Sequence, residues 1–210
     1  MHNTPRRVRL DGLTFEIAGS ERREAILQLR GAIYRDELRY PAEAAEWGAA
    51  DNKALHLIAF AGDVPVGAMR LLGPSSRPFE LEGSVDLSPF VRAEHPPGEI
   101  TRFCVVREFR TITRGLQLQT GLMRLLHEGC RRSEIQDVFI CARPSARQLY
   151  EFLLFEALTP PNIAYAPLNG ALHLLMRLHL PTLPQRYTKS NHLLKAAFAA
   201  SGDQTFEPSA

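Results

Sequence analysis

The hydrophobic pattern of this sequence switches several times between the two-residue repeat of a strand and the spacing of a helix, and no other feature constrains the fold as strongly. Near-alternating apolar residues within 1–19 predict a strand and a turn, and Ser20 is the predicted N-cap of a helix beginning at Glu21. The runs 55–60 and 66–72 flank a Gly-Asp turn and predict a β-hairpin. The pattern therefore predicts a mixed α/β fold.

The rest of the chain continues this alternation after an irregular segment, 73–98, that is rich in proline and glycine. The elements expected after it are strand 99–106, a helix ending near Arg132, strand 138–141, a helix opened by a capping box at 145–148, two strands around Asn169-Gly170, and a last helix capped by Asn191. We find no internal repeat, so we expect a single domain over residues 1–200 and a polar tail over 201–210.

Composition excludes several classes of protein. The chain is 45% hydrophobic and 23% charged, which are globular proportions, and its net charge of +2 gives no case for nucleic-acid binding. It has no apolar run long enough to span a membrane and no apolar signal segment, so we expect a cytoplasmic protein. The three cysteines lack CxxC spacing and the histidines are scattered, so we expect neither a disulfide framework nor a metal site.

A basic loop precedes the central predicted helix. Residues 110–115 read Arg-Thr-Ile-Thr-Arg-Gly and follow a predicted strand. This loop and the order of elements around it resemble the GNAT acyltransferases, in which an Arg/Gln-x-x-Gly-x-Gly/Ala loop binds a cofactor pyrophosphate through backbone N–H groups and the helix N-terminus. The backbone N–H near Val105 is then the implied oxyanion donor. The residues implied to bind the acyl donor are Val105, Val106, Arg110, Arg114 and Gly115.

Two strand motifs and one helix narrow the resemblance. Residues 66–72 read Val-Gly-Ala-Met-Arg-Leu-Leu, and residues 99–105 read Glu-Ile-Thr-Arg-Phe-Cys-Val. With Arg30 and Tyr34 on the first helix, and Trp47 and Asp51 after it, these motifs resemble the acyl-homoserine-lactone (autoinducer) synthases and, more closely, the N-acyl amino acid synthases of the FeeM type. The resemblance covers residues 25–157 and implies a single GNAT-type α/β fold, a mixed central sheet flanked by helices.

The resemblance implies that an amino acid's amine attacks an acyl thioester, which requires removal of a proton from the amine. The implied catalytic residues are Glu99, Arg70 and Arg102, and Glu99 is either the general base or an ion-paired structural carboxylate. The residues implied to contact substrate are Arg30, Tyr34, Trp47, Asp51 and Phe103. Two interpretations of Arg30 and Arg70 stay open: they grip the acceptor's carboxylate, or they brace the protein's own Asp51 and Glu37.

The identity of the acyl donor is predicted from one loop residue that departs from the GNAT pattern and from the local net charge. Thr113 replaces the first loop glycine, which limits close approach of the backbone to the diphosphate of coenzyme A, whereas phosphopantetheine carries one phosphate. Residues 102–132 contain seven arginines and two acids, a net charge of +5, in a chain whose total is +2. We therefore expect an acidic acyl carrier protein as donor partner, with acyl-CoA as the alternative co-substrate and no tightly bound cofactor. An arginine-rich surface that only reflects the lysine-poor composition is the other interpretation.

The leading function is transfer of a long-chain fatty acyl group from an acyl-carrier-protein thioester to the amine of an amino acid. The alternatives are an acyl-homoserine-lactone synthase, an acyl-CoA-dependent GNAT acetyltransferase and, from another class, a GNAT-fold binding module without turnover. Autoinducer synthases usually carry Phe where this chain has Tyr34, and only Asp51 fits their acidic cluster, which disfavours S-adenosylmethionine as acceptor. Cys104 lies in a predicted buried strand and is interpreted as an inert thiol.

Overall fold

The computed structural model describes residues 7–10, 12–158 and 162–189. The chain divides into two compact units. Of the described residues, the first unit contains 7–10, 12–71 and 102–129, and the second contains 72–101, 130–158 and 162–189. The expectation of one domain over residues 1–200 stays a prediction, and the tail 201–210 lies outside the described residues.

The first unit is built on an antiparallel run of strands. These are β1 (Arg7–Leu10), β2 (Leu13–Ala18), β3 (Leu55–Ala61) and β4 (Val64–Leu72). The predicted strand-turn and hairpin are both confirmed. Gly12 and Gly62 occupy the turns with φ of +81° and +60°, a backbone region that side chains with a Cβ rarely adopt.

The helix after β2 begins differently from the prediction. A 3₁₀ turn, Ser20–Arg22, leads into α1 (Arg23–Arg30), which continues as a π-helix, Gly31–Glu37. Ser20 as N-cap was wrong, because Ser20 is the first residue of the 3₁₀ turn and Gly19 occupies the N-cap position, without a side-chain cap. The Glu21 carboxylate accepts the Gly19 N–H at 2.9 Å. The predicted helical periodicity is confirmed. Its apolar residues that are buried are Ile26, Leu29, Ile33 and Tyr34.

A long helix packs on the sheet of the first unit, and glycines make the close approach possible. The second helix of the chain, α2 (Ala42–Ala45), is short. The helix that packs on the sheet is the next one, α3 (Ile112–Arg132). A Cβ on Gly121 of α3 would lie 2.2 Å from the Phe15 ring of β2. A Cβ on Gly67 of β4 would lie 3.0 Å from the Leu118 side chain. Neither position has room for a larger residue in this arrangement.

The second unit contains the remaining strands. They are β5 (Pro97–Val105, whose last four residues belong to the first unit), β6 (Asp137–Ala142), β7 (Glu156–Ala157), β8 (Ile163–Tyr165) and β9 (Ala171–His179). β9 runs antiparallel to its partners β6, β7 and β8, whereas β5 and β6 are parallel. The described strands form a mixed sheet in the order β1-β2-β3-β4-β5-β6-β9-β7, with β8 on β9, which confirms the α/β class.

Helical turns of the second unit depart from the prediction at two places. The irregular segment contains 3₁₀ turns at Pro74–Ser76 and Glu80–Gly83. The capping box at Ser145 was wrong, because Ser145 lies inside a 3₁₀ turn, Pro144–Ala146, that precedes α4 (Arg147–Phe152). Helix α5 (Leu183–Lys189) follows β9, and the predicted helix from Asn191 lies outside the described residues.

Candidate active site

Asp51 is the centre of a buried charge cluster in the first unit. Arg30 Nη2 donates to Asp51 Oδ1 at 2.8 Å, and Arg70 Nη1 donates to Asp51 Oδ2 at 3.2 Å. All three side chains are only 1% exposed. The cluster therefore connects the last residue of α1, a 3₁₀ turn at Ala49–Lys53, and strand β4.

Local structure explains why Asp51 occupies this position as an anion. Its Oδ2 also accepts the Gly48 N–H at 2.8 Å, which caps the 3₁₀ turn. Burial by itself would raise the pKa of Asp51, but the hydrogen bond from Arg30 and the charges of Arg30 and Arg70 outweigh it and hold this pKa below its usual 3.8. Asp51 is thus a carboxylate at neutral pH, held between two guanidinium groups.

A neutral histidine and the single tryptophan pack beside this cluster. His56 Nε2 donates to the backbone carbonyl of Asp51 at 3.0 Å, and burial lowers the pKa of His56 below 6.5. The Trp47 ring lies 4.6 Å from the His56 ring, centroid to centroid, and Trp47 Nε1 donates to Asn52 Oδ1 at 2.9 Å. The sequence pattern did not select His56, because a single histidine on a buried strand carries no distinguishing spacing.

The observed contacts of Arg30 and Arg70 are those of a brace. Both guanidinium groups contact the protein's own Asp51, one of the two carboxylates considered for that role. Glu37 is not part of the cluster and pairs with Arg110 instead. Tyr34 is 8% exposed and stacks on Tyr40, with ring centroids 5.8 Å apart. Substrate contact by these residues stays a prediction.

Arg110 stabilises the loop between β5 and α3 by hydrogen bonds to the protein. Its Nε donates to the Val105 carbonyl at 2.8 Å, its Nη2 donates to Glu37 Oε2 at 2.8 Å, and its Nη1 pairs with the other Glu37 oxygen. The hydrogen bonds that Arg110 donates to Glu37 raise the pKa of Arg110. Sequence reasoning did not find this pair, because 73 residues separate its members. Arg110 therefore shapes the predicted donor-binding loop through protein contacts.

Gly115 and Val106 also have structural roles in this loop. A Cβ on Gly115 would lie 3.0 Å from the Phe109 carbonyl oxygen, so only glycine lets the loop turn back against the first turn of α3 without a shift. The Val106 N–H donates to the Val66 carbonyl at 3.0 Å. The side chains of Thr113 and Arg114 lie outside the described part of the chain.

The backbone of β5 departs from strand geometry at Arg102. This residue has a φ of +54°, in the left-handed region that is uncommon for a residue with a side chain. Arg102 and Phe103 are both partly exposed, whereas Cys104 is 2% exposed. Burial raises the pKa of the Cys104 thiol to about 12, which fits an inert thiol. Such backbone strain is most common at functional sites, so Arg102 is a candidate functional residue.

Glu99 lies in the second unit and is fully buried, with 0% exposure. Its Oε2 accepts the Glu80 N–H at 2.9 Å, and its Oε1 accepts the Leu81 N–H at 3.0 Å. The carboxylate thus holds the first residues of the 3₁₀ turn Glu80–Gly83 against β5. Both oxygens of Glu99 therefore contact the backbone of this turn, and each has a second lone pair, so its role as general base stays a prediction.

The pairing between the parallel strands β5 and β6 ends early. Over the described residues it covers three residue pairs, from Pro97 with Asp137 to Glu99 with Phe139. β6 continues to Ala142, and over that stretch its other edge stays paired with β9. The described register of the parallel pair therefore ends at Glu99 with Phe139. The end of β6 has a backbone edge that β5 does not cover.

None of the described helices is both long and apolar enough to cross a membrane.

The sequence profile of one protein family, described as N-acyl amino acid synthase FeeM, matches residues 25–179. No curated protein matches the chain significantly.

Solved structures are similar over most of the chain. FeeM, an N-acyl amino acid synthase from uncultured soil microbes, superposes with a TM-score of 0.67 at 16% identity, covering 89% of this chain and 98% of FeeM. BjaI, a CoA-dependent acyl-homoserine lactone synthase, gives 0.56 at 20% identity, with 87% and 92% covered. An acyl-CoA N-acyltransferase from Pseudomonas aeruginosa gives 0.55 at 21% identity, with 79% and 97% covered. At these identities the likeness shows a shared fold.

Proposed function

This chain belongs to the N-acyl amino acid synthase FeeM family of acyltransferases, and we propose that it transfers a long-chain fatty acyl group from an acyl-carrier-protein thioester to the amine of a free amino acid. The amine nitrogen attacks the thioester carbonyl carbon, the C–S bond breaks, and the phosphopantetheine thiol leaves. The acceptor ammonium loses two protons in all, one to the leaving sulfur and one to solvent or a base.

The early end of the β5–β6 ladder carries this proposal. Both strands continue beyond Glu99 and Phe139, and the described edge of β6 there is not paired with β5. An extended phosphopantetheine arm contains amide groups, which can hydrogen-bond to an uncovered strand edge as an added strand does. The arrangement suits a donor that delivers its thioester on a long amide-containing arm.

The proposed roles of the motif arginines follow from their surroundings. Arg30 and Arg70 are buried and contact Asp51, which supports a role in bracing the first unit. Arg102 is partly exposed and has a strained backbone, which supports contact with the acceptor's carboxylate. Glu99 holds the turn at Glu80 and Leu81 through both oxygens, which supports a positioning role.

The proposed preference for a carrier protein rests on charge. Arg107 is exposed at the start of the segment between β5 and α3, whereas the charge of Arg110 in the same segment is compensated by Glu37. An acidic carrier protein would contact such an exposed cation and would do so less strongly at high salt. Arg107→Ala should therefore raise KM for acyl-carrier protein at low salt and leave KM for acyl-CoA unchanged. Arg9→Ala, at an exposed arginine on β1, is the matched control.

The decisive experiment incubates the purified protein with acyl-carrier protein or acyl-CoA, a pool of amino acids and S-adenosylmethionine, and identifies products by mass spectrometry. We expect linear N-acyl amino acids, formed faster from the carrier protein. A lactone product would identify an autoinducer synthase, and equal catalytic efficiency with both donors at low and high salt would reject the carrier preference. Absence of any acylated product would reject the proposed function.

A glycine substitution tests the donor loop without removing a charge. A Cβ on Gly115 meets the Phe109 carbonyl at 3.0 Å, whereas a Cβ on Gly83 meets nothing within 4 Å. Gly115→Ala should displace the loop and lower kcat/KM for the thioester by about tenfold. Gly83→Ala should leave kcat/KM unchanged, and equal behaviour of the two variants would argue against donor binding at this loop.

A further inference from the structure

Three potential metal ligands that belong to none of the motifs discussed above meet in the second unit. Asp137 is the first residue of β6 and pairs in register with His179, the last residue of β9. His95 comes from the irregular segment just before β5. The potential ligand atoms of these three residues all lie within 4.8 Å of one another.

The distances between these atoms are close to those around a tetrahedral metal ion. His179 Nδ1 lies 2.8 Å from Asp137 Oδ1, and His95 Nδ1 lies 3.6 Å from Asp137 Oδ2. Ligands bound at about 2.1 Å in a tetrahedron are about 3.4 Å apart. The two observed separations bracket this value, so small side-chain rotations would bring three ligands onto one ion.

The Asp137 carboxylate lacks a full set of partners. Its side chain is 0% exposed, and among the described residues Oδ2 is a buried oxygen with no hydrogen-bond partner. The same is true of His95 Nδ1, which faces it. A buried anion with an unsatisfied oxygen is unfavourable, and such groups in a folded protein commonly indicate an ion or a water that completes the site.

The neighbouring cation, Arg177, makes no hydrogen bond to either oxygen of Asp137. Arg177 Nε lies 3.9 Å from Asp137 Oδ1, beyond hydrogen-bond distance, and is itself buried without a hydrogen-bond partner among the described residues. The Arg177 Nη2 instead lies 3.6 Å from Glu156 Oε2, and Glu156 also pairs with Arg186 at 3.1 Å. Arg177 therefore supplies long-range charge to Asp137 but no direct hydrogen bond.

We propose that His95, Asp137 and His179 bind one divalent ion of the zinc class, with water as the fourth ligand. Two imidazole nitrogens and one carboxylate oxygen suit Zn²⁺, whereas Ca²⁺ and Mg²⁺ require more oxygen ligands. The ion would join the starts of β5 and β6 to the end of β9 and so stabilise the second unit. This differs from the sequence-based expectation of no metal site, and it does not depend on the proposed acyl transfer.

The test uses untagged full-length protein stripped with a chelator and titrated with ZnCl₂. We expect one high-affinity ion per chain and a rise in Tm of roughly 5–10 °C at free zinc about 100-fold above Kd. His95→Ala, His179→Ala and Asp137→Asn should each weaken zinc binding by at least about 100-fold. His173→Gln, on the same strand β9, is the matched control and should bind as the parent does. MgCl₂ and CaCl₂ should give no shift.

A measurement on the unmodified chain keeps the proposal falsifiable if a variant fails to fold. Co²⁺ bound in place of Zn²⁺ should show the intense visible absorption of a tetrahedral site, and X-ray absorption at the zinc edge should show two imidazoles in an N/O-only shell. Absence of zinc binding, a sulfur-containing shell, or affinity that the three ligand variants leave unchanged would overturn the proposal.

Discussion

Asp51 and Asp137 are both buried carboxylates, but different kinds of cation surround them. Asp51 contacts Arg30 at 2.8 Å and Arg70 at 3.2 Å, and guanidinium groups stay charged at every physiological pH. Asp137 faces two imidazoles, which are charged only when protonated, and its one arginine neighbour lies 3.9 Å away. The Asp51 carboxylate is therefore paired with permanent cations, whereas at Asp137 the proposed zinc ion would supply the positive charge.

The two clusters also differ in how completely the protein hydrogen-bonds the buried carboxylate. The Asp51 cluster consists of residues from the family-like motifs, and every described contact in it is between protein groups. The Asp137 cluster belongs to no motif and leaves one oxygen unsatisfied. Arg30 Nε in the first cluster is also buried without a hydrogen-bond partner among the described residues, so the contrast lies in the two carboxylates. Both Asp51 oxygens accept hydrogen bonds from the protein, whereas Asp137 Oδ2 accepts none from the described residues.

The largest expected effect is that of Asp51→Asn. The change removes the anion shared by two buried arginines, so the free energy of unfolding should fall by about 3–5 kcal/mol in urea titrations. Asp36→Asn, at an exposed carboxylate paired with Arg35, is the control and should leave the unfolding midpoint unchanged. A loss below about 1 kcal/mol at Asp51 would contradict the brace.

Arg70→Lys and Arg102→Lys form the next comparison. Arg70→Lys keeps the charge but loses the planar fork, so we expect a loss of about 1–3 kcal/mol in stability and an unchanged KM for the amino acid. Arg102→Lys should raise this KM by about tenfold with an unchanged Tm. The measurements are steady-state kinetics beside thermal unfolding. An increased KM with normal Tm for Arg70→Lys would show that Arg70 binds the acceptor after all.

Asp137→Asn should have a smaller effect than Asp51→Asn in metal-free buffer. Arg177 lies 3.9 Å from Asp137 and also pairs with Glu156, so no buried arginine depends on Asp137 alone, and we expect a loss of about 1–2 kcal/mol in the free energy of unfolding. Urea titration with a chelator present measures it. A loss as large as that of Asp51→Asn would show that Asp137 is also a permanent brace and would remove the contrast between the clusters.

The smallest expected effect concerns pH. Burial lowers the pKa of His56, so below pH 6.5 the unfolded chain binds a proton that the folded chain does not, and stability falls as pH falls. Asp51 contributes nothing to this window, because its pKa lies below 3.8 in the folded chain. Between pH 7.5 and 5.5 we expect a loss of about 1 kcal/mol that His56→Gln reduces. An identical pH slope in this variant would exclude His56 as the cause.

Local pattern was sufficient where the hydrophobic repeat extended over a whole element. The hairpin of β3 and β4 and the buried face of α1 were predicted from spacing alone, because burial on one face requires that spacing. Helix starts were less accurate. Ser20 and Ser145 both have sequences suitable for an N-cap, but each lies inside a 3₁₀ turn that precedes its helix. Capping depends on which of several nearby groups reaches a backbone N–H, and that is a geometric question.

The sequence by itself determined the α/β class, the order of the elements and the motif residues of an acyltransferase family. Only the tertiary structure showed that Arg30 and Arg70 share one partner, Asp51, which lies 21 and 19 residues away from them in the sequence. It also brought together His95, Asp137 and His179 from three elements. The physical reason is range: periodicity is a property of neighbouring residues, whereas a buried charge is stabilised by whatever group the fold brings within about 4 Å of it.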